Sequence, residues 1–585
     1  MAGARGMTEG VRALAAAHRE GRRGVEETVE ELIAALGESA GAPVWLHVES
    51  PDRLRARARE LAGGRRDLPL LGVPFAVKDN IDVAGLTTSA ACPDYSYRPE
   101  RTAFVVDRLL AAGAVLAGKT NMDQFATGLV GTRSPHGACS SAFSADHVSG
   151  GSSSGSAVAV ARGLVAFSLG TDTAGSGRVP AAFNEIVGLK PTRGLVSNAG
   201  VVPACRTLDC VSIFAAEVDD AAAVLAACAA YDPADAFSRR RPRGGAPDLA
   251  RGRPSVLGVP APASLQFFGD EHAAEAWSRA RARAERLADR IVEVDLAPFA
   301  EAATLLYNGP WLAERYAVLG EFLERDDVDP DPVVRGIILA GAEPSAADAF
   351  AGQYRIAELR RHAEGLFAEI DALITPTAPT FPTHAEVAAE PVAANARLGT
   401  YTNFVNLLDL AAVAVPAGRR DDGLPFGVTL VGPAFSDEAL VRLARAWAGA
   451  RAVEIDLVVA GAHLSGMPRN GELLDLGARL VRATRSAPSY RFFDLADGTG
   501  RPGLMRAEDG EAGGAVEVEV WRLDERAFGE LVARVAPPLV IGSIELENGT
   551  TSKGFLCEAH ALAHAREITG YGGWKAYSTA AVATP

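Results

Sequence analysis

Apolar residues recur at helical spacing over residues 8–65, where Thr-Val-Glu-Glu-Leu-Ile-Ala-Ala-Leu (28–36) is amphipathic and the Arg-rich run 51–66 reads as a solvated helix face. From residue 67 the rhythm changes to short apolar runs alternating with helical segments: LLGVPFAV, TAFVVDRLLAAG, AVLAGKTN. That alternation predicts βαβ units and a sheet covered on both faces. The run Leu70–Val77 is expected to be a buried strand ending in a Lys78-Asp79-Asn80 corner, with Lys119 following the next strand. Between Gly150 and Pro180 two Ser/Gly clusters bracket an apolar run, which predicts a close-packed helix over Ala157–Ala166. The segment 121–137 is glycine-punctuated, as in a loop passing close to a ligand. Residues 232–254 form a loose Arg/Pro/Gly-rich excursion, 305–322 read as helix, and 372–383 and 401–418 return to the sheet. Beyond about 445 the pattern changes again: strands, turns and a helix predict a small α+β or barrel-like unit. The domain boundaries expected from this pass are 1–450 and 455–585.

Composition narrows the function classes. At 585 residues, with 48% hydrophobic and 22% charged, the chain is expected to be a soluble globular protein of at least two domains. A formal net charge of −15 argues against nucleic acid or an anionic membrane as partner. Six cysteines without a C-x-x-C pair suit a reducing compartment and no structural zinc. No charged-then-apolar leader opens the sequence and no apolar run reaches membrane-spanning length, so a cytoplasmic location is expected.

Glycines before Ser152 and around Ser176 mark tight turns that present hydroxyls and bare N–H groups, which is what acyl transfer needs. A single such cluster reads as an ordinary loop; two flanking a buried segment suggest a site. Each hydroxyl needs a base. His136 and His147 lie in polar loops without an orienting carboxylate nearby in sequence. Lysine is more informative. The 58 basic residues include only five lysines (Lys78, Lys119, Lys190, Lys553, Lys575), the rest being arginine. Arginine cannot release its proton at working pH, whereas a desolvated lysine can, so a retained lysine is a candidate for proton transfer.

Lys78, Ser152 and Ser176, spaced by 74 and 24 residues, resemble the pattern of the amidase signature enzymes, a likeness running from about residue 25 to 445. The resemblance implies an α/β fold, a mixed twisted sheet covered by helices. It makes Ser176 the nucleophile, Ser152 the bridging serine after a cis peptide, and Lys78 the base. It further implies an oxyanion hole from the N–H groups of Thr173, Ala174, Gly175 and Ser176. Arg178 would buttress that loop, and the Gly128 carbonyl would hold the substrate amide. Ala174 and Ser154 replace glycines common in the wider family, and the backbone donors survive the first change.

Two further stretches are similar to the allophanate hydrolases. Tyr-Asn-Gly-Pro-Trp-Leu-Ala-Glu-Arg-Tyr (307–316) looks like the segment that holds a substrate carboxylate there, and its Tyr307 and Arg315 stand eight residues apart, close to two turns of one helix face. The tail segments GAHLSGMPRN and GYGGWKAY resemble the C-terminal domain of that group, related in fold to gamma-glutamylcyclotransferases; His463, on a turn after a strand, is its titratable candidate. The implied reaction is hydrolysis of allophanate to ammonia and N-carboxycarbamate or CO2 through a covalent acyl-enzyme, without metal or organic cofactor. The substrate would be small and anionic. No lysine is flanked by methionine, as a biotin-bearing lysine would be, so the urea carboxylase supplying it is expected to be a separate chain. A homodimer is expected. The competing readings are an amidase for another short acid amide, such as malonamate, and an amidotransferase subunit delivering ammonia to a partner.

Overall fold

The structure, a computed structural model, describes residues 9–242, 256–449, 455–476, 478–495, 501–508, 510–523 and 525–582. The chain divides into two compact units, Met1–Ala448 and Gly449–Pro585. Of the loose stretch expected over 232–254, the part from 243 onward lies outside the described residues.

The first unit is built on one eleven-stranded sheet. Its order runs Trp45–Val48, Val115–Thr120, Pro74–Lys78, Phe167–Asp172, Cys210–Ala215, Val187–Lys190, Leu410–Arg419, Pro425–Pro433, Ala372–Pro376, Val256–Pro260, Arg290–Val294. Pairing is parallel among Val115–Thr120, Pro74–Lys78 and Phe167–Asp172, antiparallel through the middle, and parallel again at the far edge. The sheet is therefore mixed. Pro74–Lys78 is buried at every position, because helices cover both faces and its side chains alternate between them. Phe75 and Val77 join the core that includes helices Phe104–Ala111, Val218–Cys228 and Asp437–Ala448. Ala76 joins the opposite core, with Val25–Ser39, Pro51–Ala62 and Ser154–Ala161. Phe75 stacks on Phe167 of the neighbouring strand, ring centroids 5.1 Å apart.

Three local expectations are corrected. The helix between the serine clusters is Ser154–Ala161, not Ala157–Ala166; it stops before Gly163, whose φ of +66° lies in the left-handed region. Lys119 lies within the strand Val115–Thr120 rather than after it. The helix expected over 305–322 is two helices, Ala297–Asn308 and Trp311–Leu323. Pro310 lacks an N–H and disfavours helical geometry in the residue before it, so Gly309 turns out at φ −129°, ψ −169°.

The second unit holds a five-stranded sheet, ordered Arg479–Arg485, Glu517–Leu523, Ile455–Val459, Thr551–Cys557, Leu539–Glu545, and a three-stranded sheet with Tyr490–Asp494 at its centre. Helices Asn470–Asp475, Glu525–Ala533 and Trp574–Val582 accompany them, and Leu457, Val520, Tyr490 and Ile544 lie in its own core. Among the described residues, no helix is long and apolar enough to cross a membrane.

One buried ion pair fixes the loop that carries Ser176. Arg178 donates from Nε and Nη2 to Asp172 at 2.9 Å each, and from Nη1 to the Thr402 carbonyl at 3.1 Å. Burial would push the Asp172 carboxyl up, but Arg178 holds it below the ordinary range. Removing one partner strands the other charge in the core. Asp172→Ala is accordingly expected to lower the unfolding free energy by about 3–5 kcal/mol, read from denaturant unfolding of the whole chain. A loss no larger than the ~1 kcal/mol of a surface pair would contradict it.

Candidate active site

The strands Pro74–Lys78 and Phe167–Asp172 run parallel with Val77 opposite Leu169, so Lys78 and Thr171 emerge at the same end of the sheet. Lys78 Nζ donates to Ser152 Oγ and to Thr171 Oγ1, both at 2.7 Å, and all three residues are buried. Ser152 follows a cis Gly151–Ser152 peptide and precedes the helix Ser154–Ala161. Lys119, by comparison, is paired with Asp79 at 3.0 Å and also donates to Thr88 Oγ1. Lys190 donates to the Pro191 carbonyl at 2.8 Å. Lys78 alone of these three has two hydroxyls for partners. Burial pushes its pKa down to about 7, and Asp123, Asp209 and Asp172 offset the desolvation only in part.

Ser176 lies in the turn between that strand and the helix Val179–Phe183, where its Oγ donates to the Gly128 carbonyl at 3.3 Å. Among the described residues, no hydrogen bond joins Ser176 Oγ to Ser152, and the N–H groups of Thr173, Ala174, Gly175 and Ser176 have no acceptor. Four donors in succession without an acceptor are the kind of group an oxyanion would need. Gly175 is required there: its φ is +144°, and a Cβ would lie 2.4 Å from Thr402 Oγ1.

Two carboxylates that sequence reasoning missed shape the site. Asp209 accepts Thr173 Oγ1 at 2.5 Å and the N–H groups of Ala204 and Cys205, while burial raises its pKa to about 6. Asp123 accepts the N–H groups of Gly131 and Arg133, and donates its own N–H to the Ser152 carbonyl. It lies so close to Gly128 and Gly151 that a Cβ on either would come within 2.5 Å and 2.2 Å of Asp123 Oδ2. The available signal was an acid next to apolar residues, Asp209 between Leu208 and Cys210 and Asp123 after Met122, a pattern too common to single them out.

Tyr307 and Arg315 do meet, but across two helices rather than along one. The Arg315 guanidinium lies 5.5 Å from the Tyr307 ring centroid. Arg315 is 1% exposed; Nη1 donates to Thr127 Oγ1 at 3.0 Å, and Cys205 lies close enough to interact with the guanidinium, while among the described residues Nε and Nη2 meet no hydrogen-bond acceptor. Thr127 directly precedes the Gly128 carbonyl that receives Ser176, so the free guanidinium edge belongs to the same neighbourhood as the hydroxyl. Tyr307, Arg133 and Asn395 line a cavity of about 770 Å³ with mostly apolar walls.

In the second unit His463 follows the strand Ile455–Val459, with Nε2 3.2 Å from Glu472 and its ring stacked on Phe555. Burial lowers its pKa against the pull of Glu472, which favours a neutral imidazole.

The sequence model described as Amidase matches residues 27–441, and that of the allophanate hydrolase C-terminal domain matches residues 455–579. A urea amidolyase from Saccharomyces cerevisiae is 42% identical over 577 residues, covering 92% of this chain and 31% of the relative. With 32% coverage of a second one, from Lachancea kluyveri, the chain spans about a third of the length of these relatives. A solved structure of Kluyveromyces lactis allophanate hydrolase superposes with a TM-score of 0.72 at 39% identity, covering 98% of this chain and 100% of that one.

The protonation of Lys78 predicts the pH dependence of acyl transfer. A relay that starts from the free amine is off when Nζ is an ammonium, so kcat/KM should rise with pH through about 7 and level off above. A profile flat from pH 6 to 9, or falling over that range, would exclude Lys78 as the base.

Proposed function

This chain belongs to the amidase family and carries an allophanate hydrolase C-terminal domain, and on that premise we propose that it hydrolyses allophanate, with Lys78, Ser152 and Ser176 as its relay. What supports the substrate most strongly is Arg315: a buried guanidinium with two unpartnered donors, beside the turn that holds the nucleophile. Buried charge without a partner is costly, and a planar fork with free edges suits a carboxylate. Allophanate is a urea with a carboxylate on one nitrogen, so one short molecule brings the anion to Arg315 and the scissile carbonyl to Ser176.

Neutral Lys78 takes the Ser152 proton as Ser152 takes that of Ser176, and Ser176 Oγ attacks the terminal carbonyl. Substrate binding must draw the Ser176 hydroxyl from the Gly128 carbonyl toward Ser152, and Gly128 is then free to accept from the substrate amide. The N–H groups of Thr173 to Ser176 receive the tetrahedral oxygen, a contribution of about 3 kcal/mol per donor. Ser152 returns its proton to the departing nitrogen and ammonia leaves. Water, activated by the same relay run again, releases N-carboxycarbamate, which breaks down to CO2 and a second ammonia. Urea carboxylation is the reaction that supplies the substrate. His463 belongs to the second unit and is assigned no part in releasing the first ammonia.

Ser176→Ala, Ser152→Ala and Lys78→Ala should each cost orders of magnitude in kcat, with double variants little worse than single ones. Arg315→Ala should lose roughly 10- to 150-fold in kcat/KM on allophanate and little on an uncharged amide of similar size, with Arg315→Lys recovering only part. Ammonia release from allophanate, malonamate, biuret and the neutral amide reads these outcomes. Equal losses on charged and neutral amides would remove the carboxylate from Arg315; faster turnover of malonamate than of allophanate would overturn the substrate.

A further inference from the structure

A second cleft, of about 260 Å³, opens on the first unit, and Arg315 is not among the residues that line it. Arg193, Arg206, Arg239 and Arg360 line it together with Asp209 and Trp311. Four guanidinium groups around one cleft are unexpected in a chain of net charge −15, and their pairing is incomplete. Arg193 and Arg239 share one carboxylate, Asp409, at 3.1 and 2.8 Å. Arg360 donates Nε to the Leu407 carbonyl at 2.8 Å, and Arg206 lies over the Phe237 ring at 5.8 Å. Among the described residues, neither Arg206 nor Arg360 has a carboxylate at ion-pair distance. Burial, together with Arg193 and Arg239, lowers the Arg360 pKa despite Asp409, as expected where like charges outnumber their counter-ion.

The other acids nearby are turned to other donors. Asp235 accepts Ser197 Oγ and the N–H groups of Asn198 and Phe237. Glu314 accepts the N–H and hydroxyl of Thr207, and Asp209 accepts Thr173, Ala204 and Cys205. The cleft is left with free guanidinium edges, which match an oxoanion better than a point charge would.

We propose that this cleft binds a small dianionic oxoanion, of the phosphate or short dicarboxylate class, held by the guanidinium groups of Arg206 and Arg360. Its wall is also the outer side of the active site. The segment Arg206–Asp209 supplies residues to the cleft while Asp209 grips Thr173 of the oxyanion turn. Thr207 is tied to Glu314, one residue from Arg315. An anion that orders this segment biases both groups, so occupancy and substrate binding are coupled, and the coupling is reciprocal.

Calorimetric titration of the full-length protein with inorganic phosphate, and separately with malonate, tests the assignment. Saturable 1:1 binding is expected with at least one of them, the tighter anion identifying the class. Arg206→Gln and Arg360→Gln should each weaken it by roughly 10-fold or more, the loss of a charge-assisted contact. Arg315→Ala should retain the binding, and Arg206→Gln should keep its wild-type thermal midpoint and its ammonia release in anion-free buffer. Binding lost in Arg315→Ala but kept in Arg206→Gln and Arg360→Gln would mean that the anion occupies the substrate carboxylate site, and the proposal falls. Absence of binding by either anion overturns it as well.

Discussion

An amine buried at the end of a sheet strand, with two hydroxyls as its hydrogen-bond acceptors among the described residues, is the constraint on which the site depends. A surface lysine keeps its proton in this pH range, and a buried one with an ion-pair partner is held charged. Lys78 is fully buried, and among the described residues no carboxylate bonds to it directly. Three acids, Asp123, Asp209 and Asp172, lie near enough to moderate the shift, which leaves the group with a pKa of about 7, so that the free amine predominates above that pH. The parallel register of Pro74–Lys78 with Phe167–Asp172 sets that balance, since it brings Lys78 out beside Thr171 and next to the turn of Ser176. The sheet thus contributes a protonation state as well as a position.

The same economy of charge governs the surroundings. Asp172 is taken up by Arg178, which anchors the Thr173–Ser176 turn from one side. Asp209 anchors it from the other side through Thr173. Among the described residues, Arg315 is buried with two of its guanidinium nitrogens without a hydrogen-bond partner, and its third nitrogen reaches Thr127, next to the Gly128 carbonyl that receives Ser176. With the turn held at both flanks and its N–H groups without acceptors among the described residues, the donors would, on the proposed reaction, need little reorganisation as charge develops on the carbonyl oxygen.

Much of this was legible in the sequence because chemistry and composition coincided. Arginine fills nearly every basic position, so Lys78 stood out, and the glycines around Ser152 and Ser176 marked their turns. A sheet covered on both faces and a smaller second unit followed from the change of apolar rhythm, and the mixed strand directions from the resemblance to the amidase signature enzymes. What stayed hidden was carried by contacts distant in sequence: Thr171 to Lys78 across 93 positions, and Thr127 to Arg315 across 188. Thr171 and Asp209 look like ordinary strand and loop residues until the sheet sets them beside their partners. Tyr307 and Arg315 were paired for a reason the fold replaced: Gly309–Pro310 breaks the helix, and the two side chains meet across the break.

The central claim is that Lys78 is a neutral amine at working pH. With only five lysines, selective isotope labelling gives few side-chain signals, and Lys78→Met assigns the one that matters. Following that signal by NMR from pH 5 to 10 reads its protonation directly. A titration centred near 7, absent from the Lys78→Met spectrum, is the result predicted here. A Lys78 signal that stays in its ammonium form up to pH 9 would contradict the account, whatever the activity of the variants.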